Sequence, residues 1–335
     1  MKIGLSYDLK EKIKSGLECP EDALEEYDSP LTVNAIAEVL QRLGHDVVML
    51  GGGEEFLDNI RKYKVDIVFN IAEGLGNYRS REAQVPAVLE MLDIPYVGSD
   101  PLCMALSLDK SLTKQLLQNA GIPTAPWLLL GSFADLERAD WNSIRFPSFI
   151  KPLHEGSSKG VRLSSRVEDK GQAQALVQKL WRDYCQPVML EEFIPGDEIT
   201  VGITGNNEPQ ILGIMRILPR KQKEDFIYSL EVKRDWENLV TYECPAQIRA
   251  QQLQQISTYS LQVFRILGCR DFARVDFKIN RDGLPLFLEI NPLAGLNPYS
   301  SDLPIMAGKL RMTYDELIEK IMNAALERYP KCVQI

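Results

Sequence analysis

Histidine is almost missing from this 335-residue chain, which holds only His45 and His154. Six cysteines stand at 19, 103, 185, 244, 269 and 332, and no two of them form a C-x-x-C pair. This pattern speaks against a zinc site and reads as scattered thiols of a reducing compartment. No apolar run reaches the ~20 residues that a membrane-spanning helix needs. The opening residues MKIGLSYDLK lack the long apolar core of a secretion signal, so the expected location is cytoplasmic. Basic residues are outnumbered 38 to 47, for a formal charge of −9. That balance disfavours a long nucleic-acid footprint. It leaves room for a small anion held by a local lysine or a backbone nest. The phosphate-loop signature G-x-x-x-x-G-K-[ST] occurs nowhere.

What is present is a core-forming chain, 45% hydrophobic and long enough for two or three packed units. Strands over 2–7, 47–50, 66–70 and 94–97 alternate with helices over 30–40, 54–62 and 81–92. In the first helix, Leu31, Asn34, Ala35, Glu38 and Val39 define a partly apolar face. The alternation predicts βαβ units and a mainly parallel, Rossmann-like sheet over 1–100. The stretch 8–29 is polar and acid-rich and reads as a loop. A helix is expected over 104–119, then strands at 127–130, 149–151 and 160–163, the last two joined by PLHEGSSKG. A helix over 170–184 and a strand over 188–193 follow. Strands at 200–204, 210–218 and 240–242 read as antiparallel. A helix over 250–267, strands at 272–279 and 286–290, and a closing helix over 314–328 complete an α/β and α+β chain. The units expected are 1–100, 101–187 and 188–335.

The last two strands are joined by Asn280-Arg281-Asp282-Gly283, and Asp-Gly suits a tight hairpin. Side chains alternate along a strand, so Glu289 and Asn291 share a face that Asp276 can oppose. Three oxygen ligands in a small volume suit Mg²⁺, which takes its remaining ligands from phosphates and water. Apolar neighbours Phe277, Leu288 and Ile290 argue that these carboxylates are not merely solvated surface groups. Arg274 lies two residues before Asp276 and could neutralise a phosphate or an oxyanion; a structural salt bridge is the plainer alternative. PLHEGSSKG offers Gly156, Ser157 and Ser158 as a candidate anion-binding turn, or an ordinary exposed loop. Lys110 and Lys151 could reach a phosphate or lie on the surface. In LEEFIPGDE, 190–198, Phe193 and Ile194 could line an adenine slot or simply fill the core, and Glu191, Glu192 and Glu198 flank them.

Four segments in this order resemble the ATP-grasp superfamily, and within it the D-alanine–D-alanine ligase family: IPYVGSD with ALSLDKSLTK, FIKPLHEGSSKGV, LEEFIPGDEITV, and CRDFARVDFKINRDG with LPLFLEINPLAGL. The resemblance implies an ATP-grasp fold and an ATP-dependent ligase that makes an amide through an acylphosphate. It implies phosphate contacts from Lys110, Lys151, Gly156 and Ser158. The nucleotide's adenine and ribose ends would meet Glu191, Glu192, Phe193, Ile194 and Glu198. Two Mg²⁺ ions would sit on Asp276, Glu289 and Asn291, and Mn²⁺ would suit the same ligands. Arg274 and Gly295 would face the oxyanion, and Ser157 would orient a general-base arrangement. YSLEVKR, 228–234, resembles a mobile loop, with Lys233 and Ser300 or Ser301 holding the acceptor's carboxylate.

The chain departs from the family where the first substrate is expected to bind. NIAEGLGNYRSREAQVP, 70–86, replaces a His-Gly segment and offers Glu73, Asn77, Arg79 and Arg81. SYDLKEK, 6–12, replaces a Ser-Ala-Glu motif, with Asp8 and Glu11 as loose substitutes, and Arg234 stands for a loop tyrosine. Arginines at 79, 81 and 234 suggest a donor with a second acidic group rather than D-alanine. The expected partners are a small-molecule carboxylate donor and an amino-acid acceptor, without nucleic acid or membrane; a homodimer stays open. The alternatives are a true D-alanine–D-alanine ligase and a non-catalytic ATP-binding protein.

Overall fold

The computed structural model describes residues 1–13, 20–221 and 226–334, so Cys19 and part of the acid-rich loop lie outside the described residues. The first unit runs β1 (Lys2–Ser6), α1 (Pro30–Arg42), β2 (Asp46–Gly51), α2 (Gly53–Lys62), β3 (Ile67–Asn70), α3 (Gln84–Met91) and β4 (Tyr96–Val97). The strands form a parallel sheet in the order β2-β1-β3-β4. Every residue of β3 is buried, as its run of Ile, Val and Phe requires. The apolar face of α1 differs from the sequence reading. Thr32, Val33, Ile36, Ala37, Val39 and Leu40 are buried, whereas Leu31 is 46% exposed. The period is helical in both readings, but the sheet selects the face that carries the branched residues. The expected helix over 81–92 opens as a separate 3-10 turn, Arg81–Ala83.

The middle unit contains α4 (Pro101–Leu108), α5 (Lys110–Asn119), β5 (Trp127–Leu130), α6 (Phe133–Arg138), β6 (Ser148–Pro152), β7 (Arg166–Val167), α7 (Lys170–Tyr184) and β8 (Val188–Glu192). Its sheet has the order β5-β8-β6-β7 and is antiparallel. The single helix expected over 104–119 is two helices. Asp109 leaves the helical conformation and caps α5 by accepting from Leu112 N at 3.0 Å. The segment 160–163 is not a strand. Gly160 has φ +74 and donates to Asp22 at 2.9 Å, so the chain turns, and β7 pairs with β6 instead. Because β8 pairs with β5 and β6, we propose the three units of the sequence reading with the middle one extended through Glu192.

The last unit holds β9 (Asp197–Thr204), β10 (Gln210–Pro219), α8 (Leu230–Arg234), α9 (Trp236–Leu239), β11 (Val240–Glu243), α10 (Ala250–Ile266), β12 (Phe272–Ile279), β13 (Pro285–Asn291), α11 (Asp302–Lys309) and α12 (Tyr314–Arg328). Its antiparallel sheet runs β11-β10-β9-β12-β13. Helix α11 falls where no helix was expected. The closing helix returns to the first unit: Leu317, Ile318, Ile321 and Met322 share one core with Ile3, Leu5, Ile36 and Phe69. No helix among the described residues is long and apolar enough to cross a membrane.

A buried carboxylate fixes the first sheet to the last. Asp271 is fully buried and accepts from Gly98 N at 2.7 Å, Asn206 Nδ2 at 3.0 Å and Arg328 Nη2 at 2.6 Å. Replacing it leaves a largely buried guanidinium without its partner, which costs on the order of 3–5 kcal/mol. Asp271→Ala is therefore expected to lower the urea midpoint by that stability loss, and an unchanged midpoint would refute the tie.

Candidate functional site

The hairpin β12–β13 places the acidic residues by register. Arg274 faces Asn291 and Asp276 faces Glu289, with a bulge immediately after Asp276. Asn291 Nδ2 donates to Asp276 Oδ2 at 3.3 Å, and Thr200 on β9 donates to Asp276 Oδ1. Arg274 lies along the same edge, with Nη2 at 2.8 Å from Asp276 and Nη1 at 3.3 Å from Asp302. Asp302 and Thr200 had no signal in the sequence, because both belong to elements that meet the hairpin only after folding. Among the described residues no three His, Cys, Asp or Glu side chains gather as a metal site. The hairpin offers two carboxylates and one amide, a set that fits a hard cation completing its shell from phosphate oxygens. Here Arg274 bonds to both oxygens of Asp276, so a cation at that carboxylate competes with the guanidinium.

Three lysines converge on this edge. Asp109 ends α4 and starts α5 at Lys110, whose buried ammonium donates to the Glu155 carbonyl oxygen. Lys114, one turn on, is fully buried and pairs with Glu191. Lys151 on β6 reaches the other Glu191 oxygen at 2.7 Å. Glu191, expected at the adenine end, has its carboxylate taken by these two ammonium groups. Lys114 was missed, although its i, i+4 spacing from Lys110 put both on one helix face. Burial lowers the pKa of Lys110 and Lys114 despite the opposing pull of Glu289 and Glu191. At Lys151 burial also lowers, but Glu191 and Glu289 outweigh it and the pKa is raised. Burial would raise Glu191 and Glu289, yet Lys114 and Lys151 hold the first, and Lys110 and Lys151 the second, at about 2.

The turn after β6 carries Ser157 at φ 47 and Ser158 at φ 60, left-handed backbone that non-glycine residues seldom adopt. Ser158 Oγ donates to Tyr228 O at 3.4 Å, and Leu230 N donates to Val161 O at 3.1 Å. The YSLEVKR segment thus rests on this turn, and Lys233 Nζ sits 5.0 Å over the Tyr228 ring. Its residues 230–234 are the helix α8, which the sequence reading left as a loop.

Two cavities meet at this edge. The smaller, 110 Å³, is lined by Phe149, Phe193, Ile194, Ile217 and Leu288, with Glu191, Glu192, Glu198 and Ser158 around them. The larger, 410 Å³, is lined by Gly156, Ser157, Gly295, Ser300, Ser301 and Asn291. Lys110, Lys233, Arg274 and Glu289 belong to both. Ser301 Oγ already accepts from Asn297 N at 3.0 Å, and a side chain at Gly295 would collide with that hydroxyl at 2.8 Å.

The arginines expected to meet an acidic donor are already paired. Arg81 is 2% exposed and bonds both Glu26 oxygens, at 2.8 and 2.6 Å, with Glu155 at 3.1 Å. Arg79 reaches Asp109 at 3.4 Å, and Arg234 pairs with Glu21 and Glu25. Arg81 is spent inside the protein, and the exposed Arg79 and Arg234 already face carboxylates of the chain, which weakens the reason for an acidic donor. Asp8 is buried and accepts from Gly74 N at 2.9 Å, so it braces the loop after β3. The wall of the larger cavity is acidic instead, with Glu25, Glu26, Asp28, Glu73, Glu82 and Glu155. Glu26 and Asp28 come from the acid-rich stretch, whose composition alone could not say which carboxylates turn inward.

Burial raises the Glu82 carboxyl to about 7. An unfolded glutamate loses its proton near pH ~4.3. Between these values the folded chain keeps a proton that the unfolded chain releases, so this group's contribution to stability falls as pH rises. The melting temperature of Glu82→Gln relative to the unaltered protein is therefore expected to rise from pH 5 to pH 8; a constant difference would contradict the assignment. Lys151→Ala should weaken ATP binding, measured by calorimetry, by roughly 1.5–3 kcal/mol, the worth of a charge-assisted contact. Unchanged affinity would mean that Lys151 does not reach the nucleotide.

The family model described as D-ala D-ala ligase C-terminus matches residues 116–323. The D-alanine–D-alanine ligase of Aquifex aeolicus is 34% identical over 294 residues, covering 87% of this chain and 94% of that protein. An uncharacterised protein of Sinorhizobium fredii is 32% identical over 305 residues, covering 88% of each. In structure, the D-alanine–D-alanine ligase of Bacillus anthracis complexed with ATP superposes with a TM-score of 0.76 at 23% identity, covering 99% of both chains, a likeness of fold. Membership implies the use of ATP and a divalent metal, which the hairpin carboxylates and buried lysines fit. The chain belongs to the D-alanine–D-alanine ligase family of the ATP-grasp superfamily and is an ATP-dependent ligase.

Proposed function

We propose that this ligase joins two α-amino acids into a dipeptide through an acylphosphate, with the D-alanine pair, which the relatives' names support, as the first substrates to assay. One observation carries the reading: an apolar slot and a polar cavity share a wall made of Lys110, Lys233, Arg274 and Glu289. A nucleotide in the slot and an amino acid in the cavity would meet at that wall.

Phe193, Ile194 and Leu288 take the adenine ring, and Glu198 and Glu192 lie where the ribose hydroxyls would fall. Lys110, Lys151 and the turn at Gly156, Ser157 and Ser158 receive the phosphates. Lys114 and Glu191 act one step back, by holding Lys151 in place. Asp276, Glu289 and Asn291 would hold Mg²⁺, which when bound would neutralise phosphate charge during transfer. The donor carboxylate oxygen attacks the γ-phosphorus, and the bond to the ADP oxygen breaks. The acceptor amine then attacks the acyl carbon, phosphate leaves, and the amine loses a proton. Arg274 and the backbone at Gly295 face the oxyanion of that second step. Lys233 and Ser300 hold the acceptor's carboxylate; Ser301, already bonded to Asn297, shapes the turn. The α8 segment, laid over the phosphate turn, keeps water from the acylphosphate.

Incubation with ATP, Mg²⁺ and D-alanine should release ADP and phosphate in equal amounts and give a dipeptide by mass spectrometry. Glu289→Gln and Asp276→Asn should abolish turnover while melting cooperatively. Wild-type turnover in a folded Glu289→Gln protein would overturn the metal role, and ADP release without an amide product from any amino-acid pair would overturn the reaction.

A further inference from the structure

We infer that the donor is an α-amino acid with a second amino group, whose two ammonium groups are shared by Asp28, Glu73 and Glu82. The inference rests on the dipeptide-forming reading above and narrows its donor.

Glu82 lines the larger cavity, is 8% exposed, and makes no hydrogen bond or ion pair among the described residues. Glu73 and Asp28 line the same cavity, and their carboxylates are likewise unbonded. The other acids of that wall are satisfied. Glu26 and Glu155 share Arg81 and Lys159, and Glu25 meets Lys10 at 3.4 Å and also Arg234. Lys10 acts on Asp28, Arg81 on Glu73, and Arg81 and Lys110 on Glu82, but none of them bonds there, so among the described residues three carboxylates remain without a bonded cation. Lys110, Lys233 and Arg274 also line the nucleotide slot.

A buried carboxylate such as Glu82 is costly without a partner, and the half-buried Asp28 and Glu73 beside it add repulsion. In the free protein this favours their protonated forms. Burial, then neighbouring carboxylates, raises Glu73 well above the ordinary range, and burial with Asp8 raises Asp28 to about 8. One α-ammonium can replace one of these protons, and the others need a further cation. A donor with a neutral side chain leaves carboxylates unmatched. Glu73 and Glu82 belong to the 70–86 segment, where the family resemblance places the first substrate, so the acidic wall falls to the donor. At 410 Å³ the cavity is in the range, about 300–1,000 Å³, that holds ligands well beyond alanine in size.

The test is a donor series: alanine, 2,3-diaminopropionate, ornithine and lysine, each as both enantiomers, with ATP, Mg²⁺ and D-alanine as acceptor. ADP release gives kcat/KM, and fragmentation of the product identifies the N-terminal residue, which is the one that gave its carboxylate. At least one diamino acid is expected to exceed alanine by tenfold or more in kcat/KM and to occupy the N-terminal position. Glu82→Gln, or Glu73→Gln should the first variant not fold, is expected to cut that advantage at least fivefold, chiefly through KM. If alanine equals or exceeds every diamino acid, or if diamino acids enter only at the C-terminal position, the inference falls and the dipeptide reading stands. If no amino acid of either kind supports ADP release, the dipeptide reading falls and takes the inference with it.

Discussion

The constraint on which the rest of this structure depends is the burial of positive charge before its ligand arrives. Lys110, Lys114 and Lys151 are all buried, and ammonium groups in that state are stable only if something anionic is at hand. Glu191 answers for two of them and Glu289 for the third at longer range. Lys110 is the least satisfied of the three, with only a carbonyl oxygen as a bonded partner among the described residues. A polyphosphate is the anion that this spacing suits, since it presents several charges along one line.

Such an edge has to be assembled from all three units, and the fold shows how. The middle sheet supplies Lys151 and Glu191, the helix pair broken at Asp109 supplies Lys110 and Lys114, and the last sheet supplies the hairpin. The units are locked by polar ties with buried members: Asp271 with Arg328 and Gly98, and Arg81 with Glu26 and Glu155. The second tie links the loop after β3, the acid-rich stretch and the turn after β6, so the acidic side of the larger cavity is shaped by the same ion pairs that hold the units together. Buried networks of this kind give specificity when every member is satisfied. Asp28, Glu73 and Glu82 lie beside the network without being part of it.

Much of this was legible in the sequence. The ends of β12, α7 and α12 were read to the residue, because each is a strongly periodic segment with a clear cap or turn. That Asp276 can oppose Glu289 and Asn291 was expected from strand alternation, but the register itself is set by the bulge after Asp276, without which Asp276 would face Leu288. The break at Asp109 was not legible, since SLDKSLTK has good helix formers on both sides, and only its capping bond decides the matter. The run 160–163 looked like a strand by composition, but left-handed backbone at Ser157, Ser158 and Gly160 turns it away from the sheet.

The sequence by itself determined the residue types of the acidic hairpin and their alternation on one face, because side-chain direction along a strand is set by local geometry. It also determined the ligase family, because four motifs in one order leave little freedom. Only the tertiary structure decided which charges remain available. Arg79, Arg81 and Arg234 are cations in the sequence, but each finds a carboxylate from a distant segment, so none is left for a substrate. Glu73 and Glu82 are ordinary acids in the sequence, but among the described residues no cation bonds to either carboxylate, although Arg81 acts on both and Lys110 on Glu82 from farther away. Pairing between segments that lie far apart along the chain depends on where the folded backbone carries them, and a list of charged residues does not contain that information.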